Sequence, residues 1–210
     1  CTIEDTTNPD ITTTASDLNI PCDAVNQEAT IQNWLNTNGG AAASDICGNV
    51  TWTHDYTPGD LSGECGASGS VDVIFTATDD CGNTSTTTAK ITVSDTTPPV
   101  ITTQASDQTV ECDGSGNTTE LNAWLASNGG AAATDECSNE TWTNNYSALS
   151  DECGATGSAT VTFTATDDCG NTTTTQATFT IVDTTDPVIT TQASDQTVEC
   201  DGAGNTTDLN

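Results

Sequence analysis

The octapeptide TATDDCGN stands at 76–83 and again, unchanged, at 164–171. It belongs to a longer internal repeat. Cys22, Cys47, Cys65 and Cys81 recur as Cys112, Cys137, Cys153 and Cys169, a period of about 90 residues that constrains the fold more than any other feature. The second copy is shorter after Cys137, where SALSDEC replaces TPGDLSGEC, so the length difference falls in a Pro/Gly loop. A third copy opens at Asp183, and DTTDPVITTQASDQTVECDGAGNTT differs from DTTPPVITTQASDQTVECDGSGNTT at two positions. The chain therefore divides into 1–4, the end of a preceding repeat; 5–94 and 95–182, two full repeats; and 183–210, the start of a further one. It reads as a window on a longer array. Residues 183–210 hold a first strand and a helix start but no later strands, so either the chain continues or this segment completes a neighbouring subunit by strand donation.

Within one unit the pattern is mostly strand. SATVTFTATDD and TTTTQATFTIVD alternate apolar and Thr positions with period two, and CGN between them supplies a turn, which makes a hairpin. VITTQASDQTVEC and ETWTNNYS are two further strand candidates, enough for an all-β, two-sheet sandwich. One segment departs from this. In NTTELNAWLASNGG, Leu121, Trp124 and Leu125 share a helical face, Thr118 or Thr119 can cap the start, and Asn128-Gly129 can end it with a left-handed residue. Ile31, Trp34 and Leu35 repeat the face in the first unit. The expectation is a short helix laid across the sandwich edge.

Composition narrows the partners. With 31 acidic residues against one basic residue, Lys90, the formal charge is −30, which argues against nucleic acid or an anionic membrane surface and favours multivalent cations. No apolar run is long enough to span a bilayer, so no membrane insertion is expected in this segment. Ten cysteines at recurring positions, without the close Cys/His spacing of a zinc site, point to disulfides and an oxidising, extracellular or cell-surface setting.

The DTTPPVI run, the DDCGN turn before a Thr-rich final strand, and the cysteine opening the mid-domain strand resemble the HYR-like, immunoglobulin-like tandem repeats of very large secreted surface adhesins of the Bacteroidetes. The resemblance covers both full units and the third fragment. It implies a module of cell-surface adhesion or gliding, or an appendage to a secreted enzyme, rather than an activity.

Strand geometry constrains the cysteines. Cys153 and Cys169 flank an extended strand and sit too far apart to bond, since a disulfide needs Cα atoms within about 7 Å. If ETWTNNYS runs antiparallel to SATVTFTAT, Cys137 lies near Cys169 at one end, and Cys153 lies at the other end near Cys112. The expected bonds are Cys112–Cys153 and Cys137–Cys169, with Cys22–Cys65 and Cys47–Cys81 upstream. Cys200 needs a partner beyond Asn210, and Cys1 is out of phase, falling where Ile91 and Phe179 stand.

An immunoglobulin-like topology implies that Asp167 and Asp168 face the linker that carries Asp95, with Asp135 at the same end. Their upstream equivalents are Asp79, Asp80, Asp5 and Asp45, and Asp183 opens the third linker. Clustered carboxylates suit structural calcium, which takes six to eight oxygen ligands; the competing role is turn capping. The DGSGN run after Cys112 is a weaker calcium loop.

Asn49, Asn83, Asn117, Asn139, Asn145, Asn171 and Asn205 begin N-x-S/T sequons. The DTT runs at Thr6, Thr96 and Thr184 resemble the Asp-Ser/Thr O-glycosylation signal of Bacteroidetes. Trp34, Trp52, Trp124 and Trp142 recur in phase, as core aromatics or as sugar platforms. His54 is replaced by Asn144 in the second unit, and no Ser/His/Asp or Cys/His arrangement recurs, so no enzyme is expected. The sequence points to an extracellular structural or adhesive fibre segment, disulfide-stabilised and calcium-stiffened, whose partners are neighbouring repeats or subunits and surface glycans. The alternative is a carbohydrate-binding array appended to a secreted hydrolase.

Overall fold

The computed structural model describes residues 4–63, 65–150, 152, 154–200 and 202. The first repeat comprises β1 (Asp10–Thr13), β2 (Leu18–Pro21), α1 (Gln27–Asn36), β3 (Ala42–Ser44), β4 (Val50–His54), β5 (Ser62–Gly63), β6 (Gly69–Asp79) and β7 (Thr84–Ser94). The second comprises β8 (Val100–Thr103), β9 (Gln108–Glu111), α2 (Thr118–Ala126), β10 (Ala132–Thr134), β11 (Glu140–Asn144), β12 (Gly157–Asp167) and β13 (Thr172–Val182). Each unit is all-β apart from its helix and a 3-10 turn after it.

The expected hairpin is β12 and β13, antiparallel from Gly157 opposite Ile181 to Thr166 opposite Thr172. Its alternation places Val161, Phe163 and Ala165 on a fully buried face. β11 pairs antiparallel with β12, the premise on which the expected cysteine pairing rests. VITTQASDQTVEC, by contrast, is two strands. β8 pairs with β10 in a small sheet, and β9 runs parallel to β13 at the edge of the large one. The break at 104–107 is where the chain changes sheets and its ladder must stop. There Thr175 Oγ1 accepts the Ala105 amide at 3.1 Å, and Asp107 accepts the Thr178 amide at 2.8 Å.

The helix lies over the face of the large sheet rather than across its edge. Leu121 and Trp124 join Val161, Phe163, Phe179 and Ile181 in one core, and the Trp124 and Phe163 ring centroids are 5.2 Å apart. In the first unit Ile31, Trp34 and Leu35 take this place against Val73 and Phe75. The two-stranded sheet is too small to cover the large one, so the helix supplies the missing apolar surface. Nor do Thr118 and Thr119 cap it. The N-cap is Asn117, with φ 48°, whose side chain makes no cap bond to the helix and instead donates to Glu111 O and accepts from the Asp113 amide. Asn128 and Gly129 end the helix in the left-handed region, as expected.

Residues 183–200 copy the sequence of β8 and β9 but form no strand, and Val188 and Ile189 are exposed. The strands that pair with β8 and β9 in the second unit have no counterparts within the 210 residues.

Candidate functional site at the repeat joint

The DDCGN turns close the hairpins at the end of each unit where the chain enters. Asp167 Oδ1 accepts the Cys169 and Asn171 amides at 2.9 and 2.8 Å, and Oδ2 accepts Asn171 Nδ2 at 2.8 Å. The same Asn171 amide reaches the linker and donates to Asp95 O at 3.4 Å. Asp79 and Asn83 repeat the arrangement, with Asn83 donating to Asp5 O at 3.2 Å. The first aspartate of each pair is therefore a buried turn residue, and the asparagine it holds ties hairpin to linker. Burial pushes the Asp79 carboxyl up, but the hydrogen bonds from Asn83, Cys81 and Gly82 outweigh it and hold it below the ordinary range.

Asp95, Asp135 and Asp167 meet at the joint, with one carboxylate oxygen from each within 4.8 Å of the others. Asp95 is only 8% exposed, and its Oδ2 has no hydrogen-bond partner. Oxygen-only donors of this kind suit a hard cation. The one basic side chain, Lys90, is elsewhere, paired with Asp72 at 3.3 Å on the exposed face. Beside the cluster opens a cleft of about 430 Å³, lined in part by Asp23, Thr97, Pro98, Asp135 and Glu136.

The other expected ligands are placed differently. Upstream, Asp5 and Asp45 converge with Cys47 rather than with Asp79. The Asp5 carboxylate is the foremost cause that pushes the Cys47 thiol up, followed by burial and Asp45. Asp80 accepts the Asn49 amide at 3.0 Å, Asp168 receives no carboxylate neighbour in these clusters, and Asp183 is an exposed turn residue accepting the Thr185 amide. The DGSGN loop is an Asx turn in which Asp113 accepts the Ser115 and Asn117 amides at 2.7 and 3.1 Å.

The cysteines overturn the within-repeat pairing. Cys22 bonds Cys137, and Cys65 bonds Cys169, with Cα separations of 5.9 and 5.1 Å. Both bonds cross from the first unit to the second, in place of Cys22–Cys65 and Cys137–Cys169. Cys47 and Cys81 are exposed free thiols and Cys112 is a half-buried one; its expected partner Cys153 lies outside the described residues, as does Cys1. Strand direction places Cys137 and Cys169 at the same end of the unit, where both are found. What strand direction omits is that the tail of one unit seats against the head of the next, so four cysteines compete at one joint. The seat is specific. The Ala67 amide donates to Cys137 O at 2.7 Å, and a Cβ on Gly66, where φ is +55°, would lie 2.5 Å from that same oxygen. The recurrence of CGA in GECGASGS and DECGATGS was the sequence signal for this contact. At the far end of the second unit Glu111 accepts Thr184 N and Thr184 Oγ1 at 2.8 and 2.9 Å, bonds that hold its carboxyl low.

Several surface assignments change as well. Asn117 is buried, and the Asn83 and Asn171 amides are committed to the turns, so these three sequons serve the fold. Asn145 accepts the Thr162 amide at 2.8 Å. Asn49, Asn139, Thr6, Thr96 and Thr184 are exposed, and Asn205 lies outside the described residues. Trp34 and Trp124 are buried, with indole N–H groups donating to Ser16 O and Ser106 O; Trp142 packs against the second core.

No family model and no curated protein matches the chain. Solved structures similar to it include Drosophila N-cadherin EC1-4, at 9% identity and TM-score 0.36, where 84% of this chain aligns with 50% of that one. Mouse Cadherin-23 EC22-24 aligns at 11% identity and TM-score 0.34 over 83% of this chain and 67% of that one. The chain spans half the length of the N-cadherin fragment. At TM-scores this low the likeness carries no argument, and the architecture rests on the strand pairing above. Among the described residues no helix is long and apolar enough to cross a membrane.

Proposed function

We propose that the chain is a segment of an extracellular structural or adhesive fibre whose joints are fixed twice, by disulfides and by calcium. The observation that carries this reading is Asp95. A carboxylate this buried, with an unpartnered oxygen and two further carboxylates beside it, is costly unless a cation compensates it. Asp95, Asp135 and Asp167 would hold the ion. Its charge would turn mutual repulsion into a fixed angle between units, while Pro98 and Pro99 restrict the linker. The disulfides support the extracellular setting, because such bonds persist in oxidising compartments. The reading is non-enzymatic, with neighbouring repeats or subunits as partners.

Calcium titration calorimetry on the 210-residue chain tests it. Binding in the range of about 10⁻⁴–10⁻³ M, typical of extracellular modules, is expected, with one class of site lost in Asp95→Asn. Equal heats for parent and variant would leave these aspartates as turn residues.

A glycan-binding array appended to a hydrolase is favoured by one feature, an open cleft of about 420 Å³ lined by Trp52, His54, Asn36 and Asn38. Saturable glycan binding that is lost in Trp52→Ala without unfolding would support it over the fibre.

A further inference from the structure

The joint between the two units uses two kinds of end. The tail of the first unit offers Cys22 and Cys65, and the head of the second offers Cys137 and Cys169. Each unit carries both ends, because Cys47 and Cys81 repeat Cys137 and Cys169, and Cys112 and Cys153 repeat Cys22 and Cys65. The thiols left free at the head of the first unit, Cys47 and Cys81, are thus the positions that are bonded in the second. Cys112, free at the tail of the second unit, is likewise the position that is bonded in the first.

One further observation marks the tail of the second unit as an unfilled seat. Gly154 repeats Gly66 with the same left-handed backbone, φ +68°, yet among the described residues a Cβ there would meet nothing within 4 Å, whereas one at Gly66 would lie against Cys137 and Ser138.

We propose that Cys47 and Cys81 form two disulfides with the tail of a repeat of the same kind placed immediately ahead of Asp5 in the same protein. Cys112 does the same with the head of the repeat that follows, and Cys153, outside the described residues, repeats Cys65 in sequence. The result is a ladder with two covalent rungs at every joint. The occupant is argued from the sequence ahead of the seat. Cys1-Thr2-Ile3-Glu4 occupies the positions in sequence that Ile91-Thr92-Val93-Ser94, the last residues of β7, occupy ahead of Asp95, so by the period of the repeat the linker follows the end of a unit of the same kind. Each rung forms as two thiols lose two protons and two electrons to a small-molecule or oxidoreductase disulfide, which leaves as two thiols. The inference rests on reading the chain as an array, but it does not depend on calcium.

The test is disulfide mapping of the oxidised full-length protein, alkylated before digestion and kept unreduced. Cys47 is expected to be joined to a cysteine in a Cys22-type context and Cys81 to one in a Cys65-type context. The 210-residue chain alone is expected to show Cys22–Cys137 and Cys65–Cys169, with Cys47 and Cys81 alkylated. A Cys47–Cys81 bond in the full-length protein, or recovery of both there as alkylated thiols, overturns the ladder. So does Cys22–Cys65 in the shorter chain. Calorimetry is indifferent to each of these outcomes, so a failed ladder and a failed calcium site are told apart.

Discussion

Asp79 and Asp167 both cap their turns, and at Asp167 capping and clustering, which look like alternatives in sequence, coincide. Each closes a turn through the two amides and one side-chain amide it accepts, and Asp167 also stands in the carboxylate cluster. For Asp79 the folded carboxyl is depressed, so the unfolded chain binds its proton more readily. Its stabilisation is fully present above the unfolded value of about 4 and is lost as pH falls through the lower folded value. Urea midpoints of parent and Asp79→Asn, compared at pH 7 and at pH 3, should show the larger acid loss in the parent. Comparing the two proteins cancels the general relief of acidic repulsion that low pH brings to both. Equal losses would mean that the turn does not discriminate between the charged and neutral carboxyl. The recurrence of this residue in DDCGN was legible from the sequence. Its hydrogen bonds were not, because an acidic pair at a turn looks the same whether it solvates, caps or binds.

At the scale of elements, hairpins and helices were the most legible features, because each is dictated by a local period. β12 and β13 follow a strict alternation, and the Leu121/Trp124 spacing matches a helical face. The helix's place over the sheet was not legible. A stripe of three apolar residues says that a face is buried and not what buries it. Trp124 tests the placement. Trp124→Ala should destabilise the second unit by about 3–5 kcal/mol, whereas Glu120→Ala on the exposed face of the same helix should change it by about 0.5 kcal/mol or less. Guanidinium unfolding followed by far-ultraviolet circular dichroism reads both, and an unshifted transition for Trp124→Ala would place the helix outside the core. The split of 100–112 into β8 and β9 was missed for a related reason. From Thr102 to Thr109 the only apolar residue is Ala105, so no local period marks where one strand ends and the next begins, and only the existence of two sheets forces the break.

For the whole molecule, if calcium and the disulfides act on the joint in parallel, as proposed above, adding a chelator to the oxidised chain should scarcely change its length. Small-angle scattering should show a shorter, more flexible particle only when the chain is both reduced and chelated, with each unit still folded. Flexing upon chelation alone would mean that the Cys22–Cys137 and Cys65–Cys169 bonds do not hold the angle. The sequence by itself determined the period, the long hairpin and the helix of each unit, and the end of the unit at which Cys22, Cys137, Cys169 and Asp167 fall. All of these follow from residue spacing along one stretch of chain. The choice of disulfide partner was decided only by the tertiary structure. A bond needs Cα atoms a few ångströms apart, and the cysteines at each end have suitors both within the unit and across the joint. Which is nearer depends on how the turn at Gly66 seats on Cys137, a contact between units that no spacing within one of them encodes.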